Sequence, residues 1–174
     1  MDQYRGRFAP SPTGPLHFGS LVAAVGSYLE AKSRGGQWLL RMEDLDPPRE
    51  QPGAADAILR TLEACGMGWD GDIMYQSRRE EAYRAALARL QQQGLVYPCA
   101  CTRREIADSG LSNDGALLYP GTCSNGLVPG KTPRAFRVRA NHEPIEFEDA
   151  LQGKLSQDLA AEVGDFVLRR ADGL

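Results

Sequence analysis

"GRFAPSPTGPLHFGS", residues 6–20, sets three prolines, three glycines and one of the chain's two histidines directly before an apolar-periodic segment. In that segment Leu21, Val22, Val25, Tyr28 and Leu29 recur at helical spacing until Gly35 and Gly36 stop them. Upstream, "YRGRF" (4–8) reads as a short strand, so the quoted stretch is the loop of a β-loop-α unit. In open α/β sheets ligands meet the carboxyl ends of strands. A helix N-terminus there offers unpaired N–H groups and a partial positive charge to a phosphate. Pro10, Pro12 and Pro15 fix φ and stiffen the approach, Gly14 and Gly19 permit close backbone contact with a ligand, and His17 adds a side-chain donor.

Outward from this loop the elements alternate. "QWLLRME" (37–43) reads as a second strand, followed by the loop "DLDPPREQP". A helix is predicted over about 53–65, with Ile58, Leu62 and Cys65 on one face, which assigns Cys65 to the core rather than to a ligand set. Ser77 and Glu80 have the spacing of a capping box and predict a helix with Tyr83, Leu87 and Leu90 as its buried stripe and Gly94 as its stop. The expected fold is α/β with a parallel sheet. From Val96 the character changes to cysteines, glycines, prolines and short extended pieces. The division read from the sequence is 1–95 as the first half of a nucleotide-binding domain, 96–162 as an insertion, and 163–174 as a strand returning to that domain.

The chain has 174 residues and a formal net charge of −3, which leaves room for one core with a small accessory module and argues against indiscriminate nucleic-acid coating. Residues 1–7 are polar and charged, and no apolar run approaches a membrane span, so a cytoplasmic protein without a membrane partner is expected. In that compartment disulfides are rare. Three of the four cysteines, Cys99, Cys101 and Cys123, cluster in sequence and suit the soft-ligand preference of a structural zinc site, which takes four ligands. His142 lies nineteen residues beyond Cys123, which leaves Tyr119 or Asp114 to complete the set. Between Gly115 and His142 no acidic residue occurs, while Lys131, Arg134, Arg137 and Arg139 are basic. Arg137 and Arg139, two apart in "AFRVRA", share one strand face and are expected to form a phosphate-binding stripe for RNA.

"RFAPSPTGPLHFGSL" resembles the signature of the glutamate-specific branch of class I aminoacyl-tRNA synthetases, with "HFGS" at the HIGH position of the class. "LLRMEDLDPPRE", "YQSRR" and "DFVLRRADG" follow in that branch's order. The resemblance implies the first half of a Rossmann-like catalytic domain. It implies that Arg7 and Ser11, with Phe8, Ala9 and Pro10, contact L-glutamate, and that Glu43 holds its ammonium group. Pro12, Gly14, His17 and Gly19 would meet ATP, accompanied by Mg2+. His17 and Ser20 would be the catalytic pair, stabilising charge on the α-phosphate without a protein nucleophile. The class has a second histidine where this sequence has Ser20.

Cys-x-Cys followed by Tyr-x-x-x-Cys is similar to the zinc module of the small relatives of glutamyl-tRNA synthetase that lack an anticodon-binding domain and attach glutamate to queuosine of tRNA(Asp). That likeness implies zinc on Cys99, Cys101, Tyr119 and Cys123, and queuosine-bearing tRNA(Asp) as partner of an enzyme that is monomeric at full length. An ordinary glutamyl-tRNA synthetase, or a non-catalytic zinc and RNA-binding module, are the alternatives. Family members continue past the position of Leu174 into a half that carries the lysine-containing second signature. Residues 1–174 alone are therefore expected to keep the zinc module but to show little glutamate-dependent pyrophosphate exchange.

Overall fold

The computed structural model describes residues 3–109, 112–113 and 116–174. The chain divides into two units, Met1–Ala82 and Tyr83–Leu174, rather than after residue 95.

In the first unit, β1 (Arg5–Phe8) leads through the Pro/Gly loop to α1 (Phe18–Ser33), then β2 (Gln37–Met42), α2 (Ala54–Ala64) and β3 (Met74–Tyr75). The sheet order is β1-β2-β3, with both pairings parallel. A sequence of hydrophobic alternation explains β2. Trp38, Leu40 and Met42 point to one face and are buried, while Gln37, Leu39 and Arg41 stay half-buried. They join Phe8, Ala24, Ala31, Ile58, Leu62 and Met67 in one core. Trp38 anchors it: the indole Nε1–H donates to Ser27 Oγ at 2.9 Å, and the ring stacks on Phe8 and meets Tyr28 edge-on.

Helix α1 lies close on β1 because Gly6 has no side chain. A Cβ there would sit 3.0 Å from both Ala31 Cβ and Ser27 O. The helix therefore buries small residues, Ala24 and Ala31, with Leu21 and Tyr28 packed beside them. Val22, Val25 and Leu29 are exposed together with Phe18, so the apolar periodicity located the helix but not its buried face. Cys65 likewise is exposed. It is the C-cap of α2, one step beyond the residues that pack.

The capping box expected at Ser77 is not formed. The Ser77 N–H and hydroxyl both donate to the Asp44 carboxylate, at 2.9 and 2.5 Å, tying the loop after β2 to the 3-10 turn Gln76–Arg79 that precedes α3 (Glu80–Gln92). No residue of α3 is buried; Tyr83 is exposed, and Leu87 and Leu90 are half-buried.

The second unit contains β4 (Val96–Cys99), α4 (Arg103–Ala107), β5 (Ser112–Asn113), β6 (Ala116–Leu117), β7 (Ala135–Val138), β8 (Ile145–Asp149), β9 (Gly153–Gln157), α5 (Leu159–Glu162) and β10 (Val167–Arg169). Its main sheet is antiparallel, in the order β10-β7-β4. The strand expected to return to the nucleotide-binding sheet thus pairs with β7 instead, over a short register with a shift between Val167 and Arg169. Strand β5 pairs antiparallel with β6, and β8 with β9. Among the described residues no helix is long and apolar enough to cross a membrane.

Candidate functional site

Two groups of side chains stand out, one in each unit. The first is the loop after β1. The Pro10 carbonyl accepts from the Glu43 N–H at 2.9 Å and the Pro12 carbonyl from the Gln51 N–H at 3.0 Å, so the loop is clamped to the chain leaving β2. Pro10 and Pro12 are buried, which leaves Ser11 exposed between them. Phe8 belongs to the core, so its side chain packs inward, while Arg7 is exposed on the opposite face of β1. Gly14 has φ +150°, a conformation that L side chains rarely adopt.

His17 is the N-cap of α1. Its Nδ1 accepts from the Ser20 N–H at 3.2 Å, and its Nε2 lies 3.1 Å from Ser20 Oγ. A ring nitrogen that accepts carries no proton, so in the neutral ring the proton sits on Nε2. Gly19 makes this cap possible: a Cβ there would come within 3.2 Å of His17 Cε1 and 3.3 Å of Nδ1. Its small size accommodates the imidazole folded over the first turn, in addition to any ligand. Glu43 pairs with Arg41, whose Nη2 is 2.5 Å and Nε 3.1 Å from Oε1. Arg7 and Glu43 thus stand as separate charges, and the Glu43 carboxylate is shared with a neighbouring guanidinium.

The second group is the cysteine cluster. Cys99 ends β4, Cys101 directly precedes Thr102, the N-cap of α4, and Cys123 sits in the turn that begins at Gly121. The three sulfurs lie within 4.8 Å of one another. Tyr119 joins them: its phenolic oxygen is 3.4 Å from Cys99 Sγ and 3.6 Å from Cys101 Sγ, and Cys101 and Cys123 are 3.6 Å apart. A tetrahedral zinc with Zn–S of about 2.3 Å and Zn–O of about 2.0 Å sets sulfurs about 3.8 Å apart and sulfur to oxygen about 3.5 Å. The donor set fits a metal in spacing and in chemistry. Asp114, the alternative fourth ligand, lies outside the described residues.

The surroundings of the cluster move its acidities in different directions. The Cys123 N–H donates to the Tyr119 oxygen at 2.8 Å. Burial pushes the Tyr119 phenol and the Cys101 thiol up from their ordinary values. Burial acts the same way on Cys123 but is outweighed by hydrogen bonds from the Ala100 backbone and the neighbouring Tyr119, so Cys123 is lowered. Thr102 and Glu105 form a reciprocal capping box immediately after Cys101, and Glu105 also receives Lys131 at 2.5 Å. The Lys131 and Thr102 hydrogen bonds bring the Glu105 carboxyl down to about 2. The T-x-x-E spacing at 102–105 signals this cap in the sequence, yet only the equivalent spacing at 77–80 was read.

The basic stripe is corrected by the structure. Of its four cations only Arg137 is buried, while Arg139, one residue past the end of β7, is exposed. Arg137 is 8% exposed, its Nε donating to Cys99 Sγ at 3.4 Å and its Nη1 to the Asp165 carbonyl at 2.6 Å. Arg139 lies over the Tyr97 ring and donates to the Gly94 and Ser124 carbonyls. Lys131 is held by Glu105 and Arg134 is exposed. His142, far from the cysteines, bonds Asp158 at the N-cap of α5.

A parallel strand leading through a proline-stiffened loop to a helix capped by His17 is the opening unit of an α/β protein. The chain belongs to the tRNA synthetases class I (E and Q), catalytic domain, whose family model matches residues 3–115. A glutamyl-Q tRNA(Asp) synthetase of Dechloromonas aromatica (strain RCB) is 64% identical over 173 residues, which cover 98% of this chain and 58% of that protein. One from Geobacter sulfurreducens is 61% identical over 172 residues, covering 97% and 55%. The chain thus spans less than two thirds of the length of these relatives. Among solved structures, a glutamate tRNA ligase from Elizabethkingia meningosepticum, in complex with its amino acid, superposes with a TM-score of 0.82 at 30% identity. It covers 99% of this chain and 39% of that one.

Proposed function

We propose that this chain supplies the glutamate-activating part of a cytoplasmic, ATP-dependent enzyme that forms glutamyl-adenylate from L-glutamate and transfers the glutamyl group to queuosine in the anticodon loop of tRNA(Asp). The observation that carries the reading is the loop 9–17 delivering His17 onto the first turn of α1, in a chain that shares 64% identity with a glutamyl-Q tRNA(Asp) synthetase.

In this reading Arg7 binds a carboxylate of the amino acid in bidentate fashion, with Ser11 and the backbone of Phe8, Ala9 and Pro10 completing the contact. Glu43 takes the α-ammonium, giving up part of its bond to Arg41. Pro12, Gly14 and Gly19 let the backbone approach Mg2+-bound ATP. His17, fixed through Nδ1, donates from Nε2 toward the α-phosphate as its charge grows, with the Ser20 hydroxyl beside it. That is electrostatic stabilisation by preorganised donors. Zinc on Cys99, Cys101, Tyr119 and Cys123 would supply a closed structural centre that organises the second unit.

Glutamate-dependent ATP–pyrophosphate exchange in the full-length protein tests the first step. An acceptor assay comparing queuosine-containing with queuosine-free tRNA(Asp) tests the second. Charging of the queuosine-containing tRNA alone is expected. Equal charging of both, or charging of tRNA(Glu), would move the assignment to an ordinary glutamyl-tRNA synthetase.

A further inference from the structure

The face of β7 that carries Arg137 is set by its pairing with β4. Arg137 lies opposite Tyr97, and Cys99 is two residues further along β4 on the same side. Diagonal neighbours of this kind are within reach of a long side chain. Arg137 uses that reach fully. Nε donates to Cys99 Sγ at 3.4 Å, the guanidinium carbon stands 3.9 Å from the centre of the Tyr119 ring, and Nη1 donates to the Asp165 carbonyl at 2.6 Å. One planar group thus touches two members of the donor set and fixes Asp165, two residues before β10.

A buried cation requires compensating charge. A carbonyl and neutral thiols do not supply it. The nearby Asp165 carboxylate, which accepts from the neutral Tyr97 hydroxyl and Ala140 N–H, supplies part of it. Three thiolates and a phenolate around a divalent metal leave a net negative charge in a buried cluster, and the guanidinium offsets that charge where it is concentrated. Arginine is suited to this, since its plane can lie on an aromatic ring while its edge donates hydrogen bonds.

We propose that Arg137 is a positioning residue of the metal centre. It holds Cys99 and Tyr119 in ligand geometry and compensates the charge of the loaded site, a role that rests on the zinc reading above. Groups that orient metal ligands typically contribute about 10–100-fold to metal affinity.

The test uses the full chain, with Arg137→Met and Arg137→Lys variants. Zinc affinity is measured by competition with a chromophoric chelator, and the sulfur-to-cobalt charge-transfer absorption is recorded after cobalt substitution. Wild type should bind one zinc. Arg137→Met should lose about 10–100-fold in affinity and show shifted charge-transfer bands. Arg137→Lys keeps the charge but cannot donate to Cys99 and Asp165 while lying on Tyr119, so it should also lose affinity, though less. If Arg137→Met does not fold, Arg137→Lys decides. Unchanged affinity and unchanged cobalt bands in a folded variant overturn the role of Arg137 and leave the zinc reading intact. Absence of zinc and of cobalt–thiolate bands in wild type overturns the zinc reading and the role of Arg137 with it.

Discussion

Replacing Tyr119 by phenylalanine isolates one oxygen. The ring stays, with the Arg137 guanidinium over it, and only the phenolic hydroxyl is lost. That oxygen accepts the Cys123 N–H at 2.8 Å inside a buried cluster. Without metal, the substitution leaves a buried N–H without its acceptor, a cost of about 1–3 kcal/mol. With zinc, it also removes one ligand of four. If that ligand contributes at least as much as an outer-shell partner, about 10–100-fold in affinity, the zinc-loaded protein loses a further 1.4–2.7 kcal/mol or so at fixed free zinc. Denaturant unfolding with excess chelator and with buffered zinc separates the two contributions, and chelator competition measures the second directly. The expected result is a destabilised metal-free state together with weakened zinc binding. Equal zinc affinity in a folded Tyr119→Phe protein would refute the phenol as a ligand, whatever the change in stability.

Gly19→Ala places a Cβ against the His17 ring, so pyrophosphate exchange by the full-length protein should fall by about tenfold or more. The unfolding midpoint should move little, because alanine's helix propensity partly offsets a loosened cap worth about 0.5–2 kcal/mol. Gly36→Ala should instead act on stability. Its Cβ would meet the Tyr4 carbonyl oxygen and Tyr4 Cβ, pressing apart the backbone where Gln37 N–H donates to Tyr4 O, and about 1–3 kcal/mol should be lost in thermal or urea unfolding. Asp70 is held below its ordinary 3.8 by the Lys32 ammonium and then by the Trp38 N–H. Its contribution is therefore complete above that value and fades as pH falls through the depressed one. Midpoints of wild type and Asp70→Asn should differ at neutral pH and converge in acid; a difference that persists in acid would point to a cause other than this carboxylate.

Much of the first unit was legible because its punctuation is local. Gly35 and Gly36 stop α1, and Gly53 and Cys65 flank α2 where periodicity placed its ends. β3 was missed, being two residues long and held only by its pairing with β2. The face of α1 was misjudged for a packing reason. Gly6 brings the helix so near β1 that alanines fill the contact, and the larger Val22, Val25 and Leu29 are displaced to the outside. Ser77 shows the same limit. Its capping spacing is real, but the Asp44 carboxylate, thirty-three residues earlier, binds its hydroxyl first.

The cysteine cluster was legible for a different reason: Cys99, Cys101 and Cys123 are chemically rare in such a chain, and few environments suit three thiols at once. What the sequence could not state is which charges face them. Alternation along "AFRVRA" puts Arg137 and Arg139 on one side but carries no information on whether that side meets solvent or the cysteines, and β7 ends at Val138, leaving Arg139 exposed. The answer is set by the register of β4 against β7, which brings Tyr97 opposite Arg137. Shifting that pairing by one residue would turn the face carrying Cys99 away from the face carrying Arg137. The same guanidinium would face solvent in one register and faces Cys99 and Tyr119 in the other, so its surroundings are decided by strand pairing before its chemistry can act.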